Sequence, residues 1–121
     1  MEEDHIQRGR RGEEEAAGFL LGKGYRILER NWRYGHREID IIAADRGMIV
    51  FVEVKYRRSR GDERYDELIR KDKQRSLRLA ASAYLIRHGQ GGPFRFDVIF
   101  ISGEWDGRRI EHIEDAFDSW G

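Results

Sequence analysis

The chain has 121 residues, enough for one hydrophobic core but not for two, so it reads as a single domain over residues 1–121 with one working surface. Its 23 Lys and Arg equal its 23 Asp and Glu, which removes any global electrostatic argument for nucleic-acid binding and leaves only the local distribution of charge. The absence of cysteine excludes disulfides, thiolate metal sites and thiol nucleophiles, and no apolar run approaches the roughly 18 residues needed to cross a bilayer.

Ile6 to Lys23 reads as a helix closed by "GKGY", where Gly22 and Gly24 supply the stop. At about 100° per residue, Glu13 falls in the middle of the stripe Ala16, Ala17 and Leu20, with Glu14 at its margin and Glu15 nearly opposite. Glu13 is therefore expected to face a sheet. Because "MEEDHIQRGRR" lacks the apolar centre of a secretory signal, no membrane contact and a cytoplasmic location are the expectation.

Tyr25 to Arg33 alternates as a strand, and "REIDIIAADRGMIVFVEVKYRR", Arg37 to Arg58, supplies two more around a tight turn. "SRGDERYDELIRKDK" reads as a mobile charged loop leading into a second helix. There Leu77, Ala80, Ala81, Tyr84 and Leu85 form one apolar stripe that ends at "HGQGGP". "RFDVIFI", Arg95 to Ile101, suits a strand covered on both faces, and an Asp106-Gly107 turn leads to a weaker strand, Arg109 to Ile113. The fold class is α/β, in the order α-β-β-β-α-β-β.

If Arg46-Gly47 is a two-residue hairpin loop, opposed residues are fixed: Asp40 lies across from Glu53, and Glu38 across from Lys55. One face then carries Ile39, Ile41, Ala43, Val50, Val52 and Val54, which core packing explains. The other carries Ile42 and Phe51 near the turn, but Glu38, Asp40, Glu53 and Lys55 beyond it. Two carboxylates at this separation repel, and a divalent cation between them is the economical resolution. Mg²⁺ or Mn²⁺ accepts such oxygen ligands, with Glu13 joining Asp40 and Glu53 directly or through water. His5, His36, His88 and His112 show no ligand spacing. The competing reading takes Glu38-Lys55 and Asp40-Arg37 as structural ion pairs and predicts no metal affinity.

In order along the chain, "GRRGEEEAAGFLLGKGYRILERNWR", "REIDIIA", "VFVEVKYR", "KQRSLRLAASAYL" and "RFDVIFI" resemble the YraN family of small bacterial proteins, which is similar in fold to Holliday-junction resolvases and the PD-(D/E)xK nucleases. The resemblance implies a restriction-endonuclease-like core with a mixed central sheet flanked by helices. It implies that Asp40 and Glu53 hold the metal, that Lys55 acts on the attacking water, and that Glu13 is the helical acid. Gly12, Asn31, Arg57, Lys73, Gln74 and Asp97 match further family positions, and Arg57, Arg58, Lys73 and Gln74 are expected to hold nucleic acid.

The implied function is metal-dependent hydrolysis of phosphodiester bonds in DNA rather than RNA, selective for branched or junction structure. The alternative is a catalytically inactive nucleic-acid-binding module of the same fold that acts with a partner enzyme. The resolvase likeness leaves room for a homodimer and for a partner protein in DNA processing. "SRGDERYDELIRKD" departs from the small-residue loop such a family would place there.

Overall fold

The structure is a computed structural model and describes residues 5–57, 70–89, 91–103 and 109–118. The expected charged loop at 58–69 and the Asp106-Gly107 turn lie outside the described residues.

Among the described residues seven elements follow in the expected order: α1 (His5–Gly22), β1 (Arg26–Tyr34), β2 (Arg37–Asp45), β3 (Met48–Arg57), α2 (Lys71–Arg87), β4 (Phe94–Ser102) and β5 (Arg109–Phe117). The strands form one mixed sheet, β1-β2-β3-β4-β5. Only β3 and β4 pair in parallel, because α2 carries the chain across between them; the other neighbours are antiparallel. Neither helix is long and apolar enough to cross a membrane.

α1 stops as its glycines predict. Gly24 takes φ +93°, its N–H reaches the Leu21 carbonyl at 3.0 Å, and the Tyr25 N–H reaches the Leu20 carbonyl at 3.0 Å. This is a Schellman closure, sealed by Leu20 and Tyr25 in the same core cluster. An added Cβ at Gly24 would meet nothing within 4 Å, so only backbone strain opposes a side chain there. Gly24→Ala is expected to cost about 1–2 kcal/mol by urea denaturation, whereas Gly22→Ala, inside the helix and equally uncrowded, should be neutral or slightly stabilising.

The single expected core is divided by the sheet into two main layers, one on each face, beside a smaller cluster of Val98 and Phe100. On one face α1 packs Ala16, Ala17 and Leu20 onto Ile41, Ala43, Val50, Val52, Ile99 and Ile101. On the other α2 packs Leu77, Ala80, Ala81 and Tyr84 onto Ile39, Ile42, Phe51 and Phe96. Tyr84 meets Trp32 and Phe51 edge-on, at centroid distances of 5.3 and 5.9 Å. Such pairs add about 0.5–1.5 kcal/mol each to simple area burial.

The hairpin register is the expected one near its turn. Arg46 and Gly47 both take positive φ, as a type I′ turn requires, and Asp45↔Met48 through Ile41↔Val52 pair in sequence. Beyond Ile41↔Val52 the ladder stops. Ile39 corrects the expected faces: it belongs to the α2 core although Ile41, two residues on, belongs to the α1 core. The regular alternation therefore breaks at Asp40. β1 is irregular at the same level, since Asn31 takes φ +53° between the pairs Arg30↔Ile41 and Trp32↔Ile39.

β5 runs to Phe117, four residues further than its apolar pattern suggests. Its pairing with β4 shifts between Phe96↔Phe117 and Val98↔Ile113, with Asp115 at φ +53° in the bulge. Asp97 sits opposite that bulge, fully buried. It accepts from Arg95 Nε and Nη2 at 2.9 and 3.1 Å, from the Asp115 N–H at 3.0 Å and from His112 Nε2 at 2.7 Å. His112 Nδ1 lies 2.7 Å from Lys23 Nζ, a donor, which leaves the ring proton on Nε2 facing Asp97.

Candidate active site

Where β2 and β3 part, the Val54 N–H has no strand partner across the gap and donates instead to Asp40 Oδ2 at 2.8 Å. Asp40 thus replaces a rung of the sheet, and its carboxyl lies between the strands rather than on either face. That position lets groups from both helical layers reach it.

From the α1 side comes Glu13. One oxygen from each of Glu13, Glu38 and Asp40 lies within 4.8 Å of the others. Asn31 Nδ2 holds two of the three, donating to Glu13 Oε1 at 2.7 Å and to Glu38 Oε1 at 3.2 Å. Asparagine serves twice at this position, because it tolerates left-handed backbone better than most residues and supplies the bridging amide. Glu13 does face the sheet, but its neighbours reverse the wheel: Glu14 is exposed and Glu15 half-buried.

On the α2 side stands Glu53, only 4% exposed. Its carboxyl lies close enough to Asp40 for its charge to raise the pKa of that residue. Lys55 Nζ and Lys73 Nζ approach Glu53 Oε2 at 3.8 and 3.6 Å, while Glu53 Oε1 is buried without a hydrogen-bond partner among the described residues.

The electrostatics follow from crowding. Burial first, then the Glu53 charge and the Glu53 hydrogen bond, raise the Asp40 pKa well above its ordinary 3.8, against the Val54 N–H and Lys73. Glu13 is raised as well, chiefly by burial; the Asn31 hydrogen bond opposes this, and the Asp40 and Glu38 charges add to it.

Of the expected catalytic set, Glu13 and Asp40 meet directly, Asp40 meets Glu53, and Lys55 flanks Glu53. Glu38 corrects the expected arrangement. It does not face Lys55; it pairs with Arg33 at 3.0 Å and joins Glu13 and Asp40, because the break at Asp40 turns Glu38 toward the α1 side. Lys73 reaches Glu53 from α2, and Gln74 is half-buried beside it. Arg57 ends β3 with its side chain outside the described atoms, and Arg58 lies outside the described residues.

The donor set suits a hard divalent cation, being all oxygen and too crowded with carboxylates to be comfortable unneutralised. The orphaned Glu53 Oε1, withdrawn from water with no donor to meet it among the described residues, is the atom that most directly fits a bound cation.

The sequence matches the model of a family described as "Uncharacterised protein family UPF0102" over residues 12–101. This chain belongs to the UPF0102 family. Among its UPF0102 relatives, a protein of Phocaeicola vulgatus is 40% identical over 114 residues, covering 94% of each chain. One of Symbiobacterium thermophilum is 48% identical over 111 residues, covering 90% of this chain and 94% of the relative. The UPF0102 match is the YraN likeness expected from the motif blocks, and it contains Glu13, Glu38, Asp40, Glu53, Lys55 and Lys73. Among solved structures, "The structure of Pyrococcus Furiosus SfsA in complex with Ca2+" matches this UPF0102 protein with a TM-score of 0.42 and 16% identity, covering 92% of this chain and 64% of that one. A likeness at that level carries no argument about the site.

Proposed function

We propose that this UPF0102 protein is a metal-dependent nuclease that hydrolyses phosphodiester bonds in DNA, with a preference for branched or nicked structure. One observation carries the reading: at the gap between β2 and β3, a carboxyl cluster made of Glu13, Glu38 and Asp40 adjoins a buried Glu53 flanked by two lysines. A core packed for stability alone has no use for a buried acid with an orphaned oxygen beside another acid.

Asp40 and Glu53 would hold Mg²⁺ or Mn²⁺, with Glu13 and Glu38 as further oxygen donors. When bound, the cation would supply Lewis-acid polarisation of the scissile phosphate and ease ionisation of the attacking water. Lys55, 3.8 Å from Glu53 and about one-third exposed, stands where it can orient that water or take its proton. Lys73 offers a second positive charge for the phosphate oxygens. Among the described residues no base-reading element accompanies the site, which favours selectivity by nucleic-acid shape.

The test incubates wild type and Lys55→Ala with Mn²⁺ and linear, nicked, flapped and four-way DNA, with matched RNA. Metal-dependent cutting of the branched or nicked substrates, lost in Lys55→Ala, is expected. DNA binding without cutting under any divalent metal would replace the enzyme by a silent binding module.

The site should also report on the metal without turnover. At a concentration about 100 times its Kd, Mn²⁺ should stabilise the wild-type protein by about 2.7 kcal/mol, a rise in Tm of several degrees. Glu53→Gln should lose most of that rise in a thermal-shift titration. A metal-induced shift of equal size in Glu53→Gln would remove Glu53 from the ligand set.

A further inference from the structure

Beside Lys73 a cavity of about 360 Å³ opens, lined by His36, Arg37, Asp72, Lys73, Arg75 and Ser76. Its walls come from the β1–β2 turn and from the first two turns of α2. Among the described residues that line it, three basic side chains face one carboxylate, and Asp72 is itself engaged by Arg70 at 3.8 Å. His36 and Ser76 add hydrogen-bonding groups. A concavity of this composition is built for an anion.

Two further features point the same way. Arg37 Nε is buried without a hydrogen-bond partner among the described residues, so a donor has been withdrawn from water with no acceptor from those residues. Arg70, the residue that opens α2, makes no side-chain capping bond to the first turn that lines the cavity.

Lys73 connects this cavity to the candidate active site, for it lines the one while its Nζ stands 3.6 Å from Glu53 in the other. We propose that the cavity seats a phosphate group of the polynucleotide adjoining the scissile one. Arg37 and Arg75 act as positioning residues that set where the chain enters the carboxyl cluster. The inference rests on the nuclease reading. The phosphate is either an internal diester or a terminal monoester at a nick, and both offer the same oxygens to the same guanidinium groups.

The experiment measures binding of a short nicked duplex by fluorescence anisotropy with a chelator present, over a range of salt concentrations. The nick carries a 5′-phosphate in one arm and a 5′-hydroxyl in the other. Arg37→Ala and Arg75→Ala should each lower the slope of log K against log salt by about 0.7–0.9, the signature of one lost phosphate contact. Arg87→Ala, at the far end of α2, should leave the slope unchanged. Because Arg37 is half-buried, Arg37→Lys is made alongside to keep the charge, and Arg75→Glu reverses a charge on an exposed residue.

Losses confined to the 5′-phosphate arm identify a terminal monoester, and equal losses in both arms an internal diester. Slopes unchanged in both the Arg37 and Arg75 variants overturn the proposal, as does an equal fall in Arg87→Ala. A wild type that shows these slopes but never cuts with Mn²⁺ removes the nuclease reading and leaves the phosphate seat standing. Cutting that persists with unmoved slopes does the reverse.

Discussion

Asp40→Asn is expected to lower Mn²⁺-dependent cleavage by at least about 100-fold while raising the Tm of the metal-free protein. The two effects have opposite signs because, on the proposed reading, Asp40 would serve ligation at a cost in stability. Its folded pKa is raised, first by burial and then by Glu53, so the stabilising contribution of its protonated form is present below pH 3.8 and is lost as pH rises through the folded value. At neutral pH an ionised Asp40 beside Glu53 is a liability. Asparagine removes that charge, keeps an oxygen for the Val54 N–H, and offers its amide to Glu53. Alanine would confound the test, since an abandoned Val54 N–H costs about 1–3 kcal/mol by itself. If Asp40 belonged to a structural ion pair, Asp40→Asn would lower Tm. A fall in Tm, or cleavage within about tenfold of wild type, which is only about 1.4 kcal/mol of barrier, would sink the assignment.

Asp97→Ala is expected to destabilise the protein by about 3–5 kcal/mol, read from the urea midpoint. Domains of this size have only about 5–15 kcal/mol in total, so a loss on this scale leaves the variant marginal. Burial alone would raise the Asp97 pKa, but His112, Arg95 and the Asp115 N–H together hold it below 3.8. Removing the carboxylate strands the Arg95 guanidinium, 16% exposed, and the His112 N–H, whose side chain is 2% exposed. It also releases the Asp115 N–H that fixes the β5 bulge. A depressed pKa gives a stabilising contribution that is present above pH 3.8 and lost as pH falls through the lower folded value. The wild type should therefore lose stability in that acidic window, and Asp97→Ala should show a flatter profile there. A urea midpoint within error of wild type would show that Asp45 and Glu114, each 3.5 Å from Arg95, suffice for the guanidinium.

The order of elements was legible because it depends on local chemistry. The stripe on α2, the Gly24 closure and the Arg46-Gly47 turn each carry their own signal, and the turn alone fixed the pairing from Asp45↔Met48 to Ile41↔Val52 that leads up to Asp40 and Glu53. Glu13 followed from helical geometry. What stayed hidden depends on departures from regular structure. Strict alternation put Ile39 on the wrong face and Glu38 opposite Lys55, because nothing in the hairpin announced that Asn31 would turn left-handed and that the ladder would end at Ile41. An asparagine inside a strand, a residue that tolerates left-handed backbone, is the one local signal of that break. Lys73 had family precedent as a nucleic-acid residue, but its approach to Glu53 needs α2 docked on the far face, which short-range pattern does not encode. The Asp97 network needs the shifted β4–β5 register, hence the underestimated length of β5.

The outer strands β1 and β5 bear on how the protein behaves in a crowded cell. Among the described residues each leaves one side of its backbone unpaired, and such an edge is a template on which another chain can add a strand. β1 guards its edge with Arg26, Glu29, Arg30 and Arg33 and a register shift after Ile27; β5 guards its own with Arg109, Glu111, Glu114 and Asp115 and the bulge. Charge and irregularity together make both margins poor seeds for aggregation, so the irregularities that shape the interior also protect the sheet from its own edges.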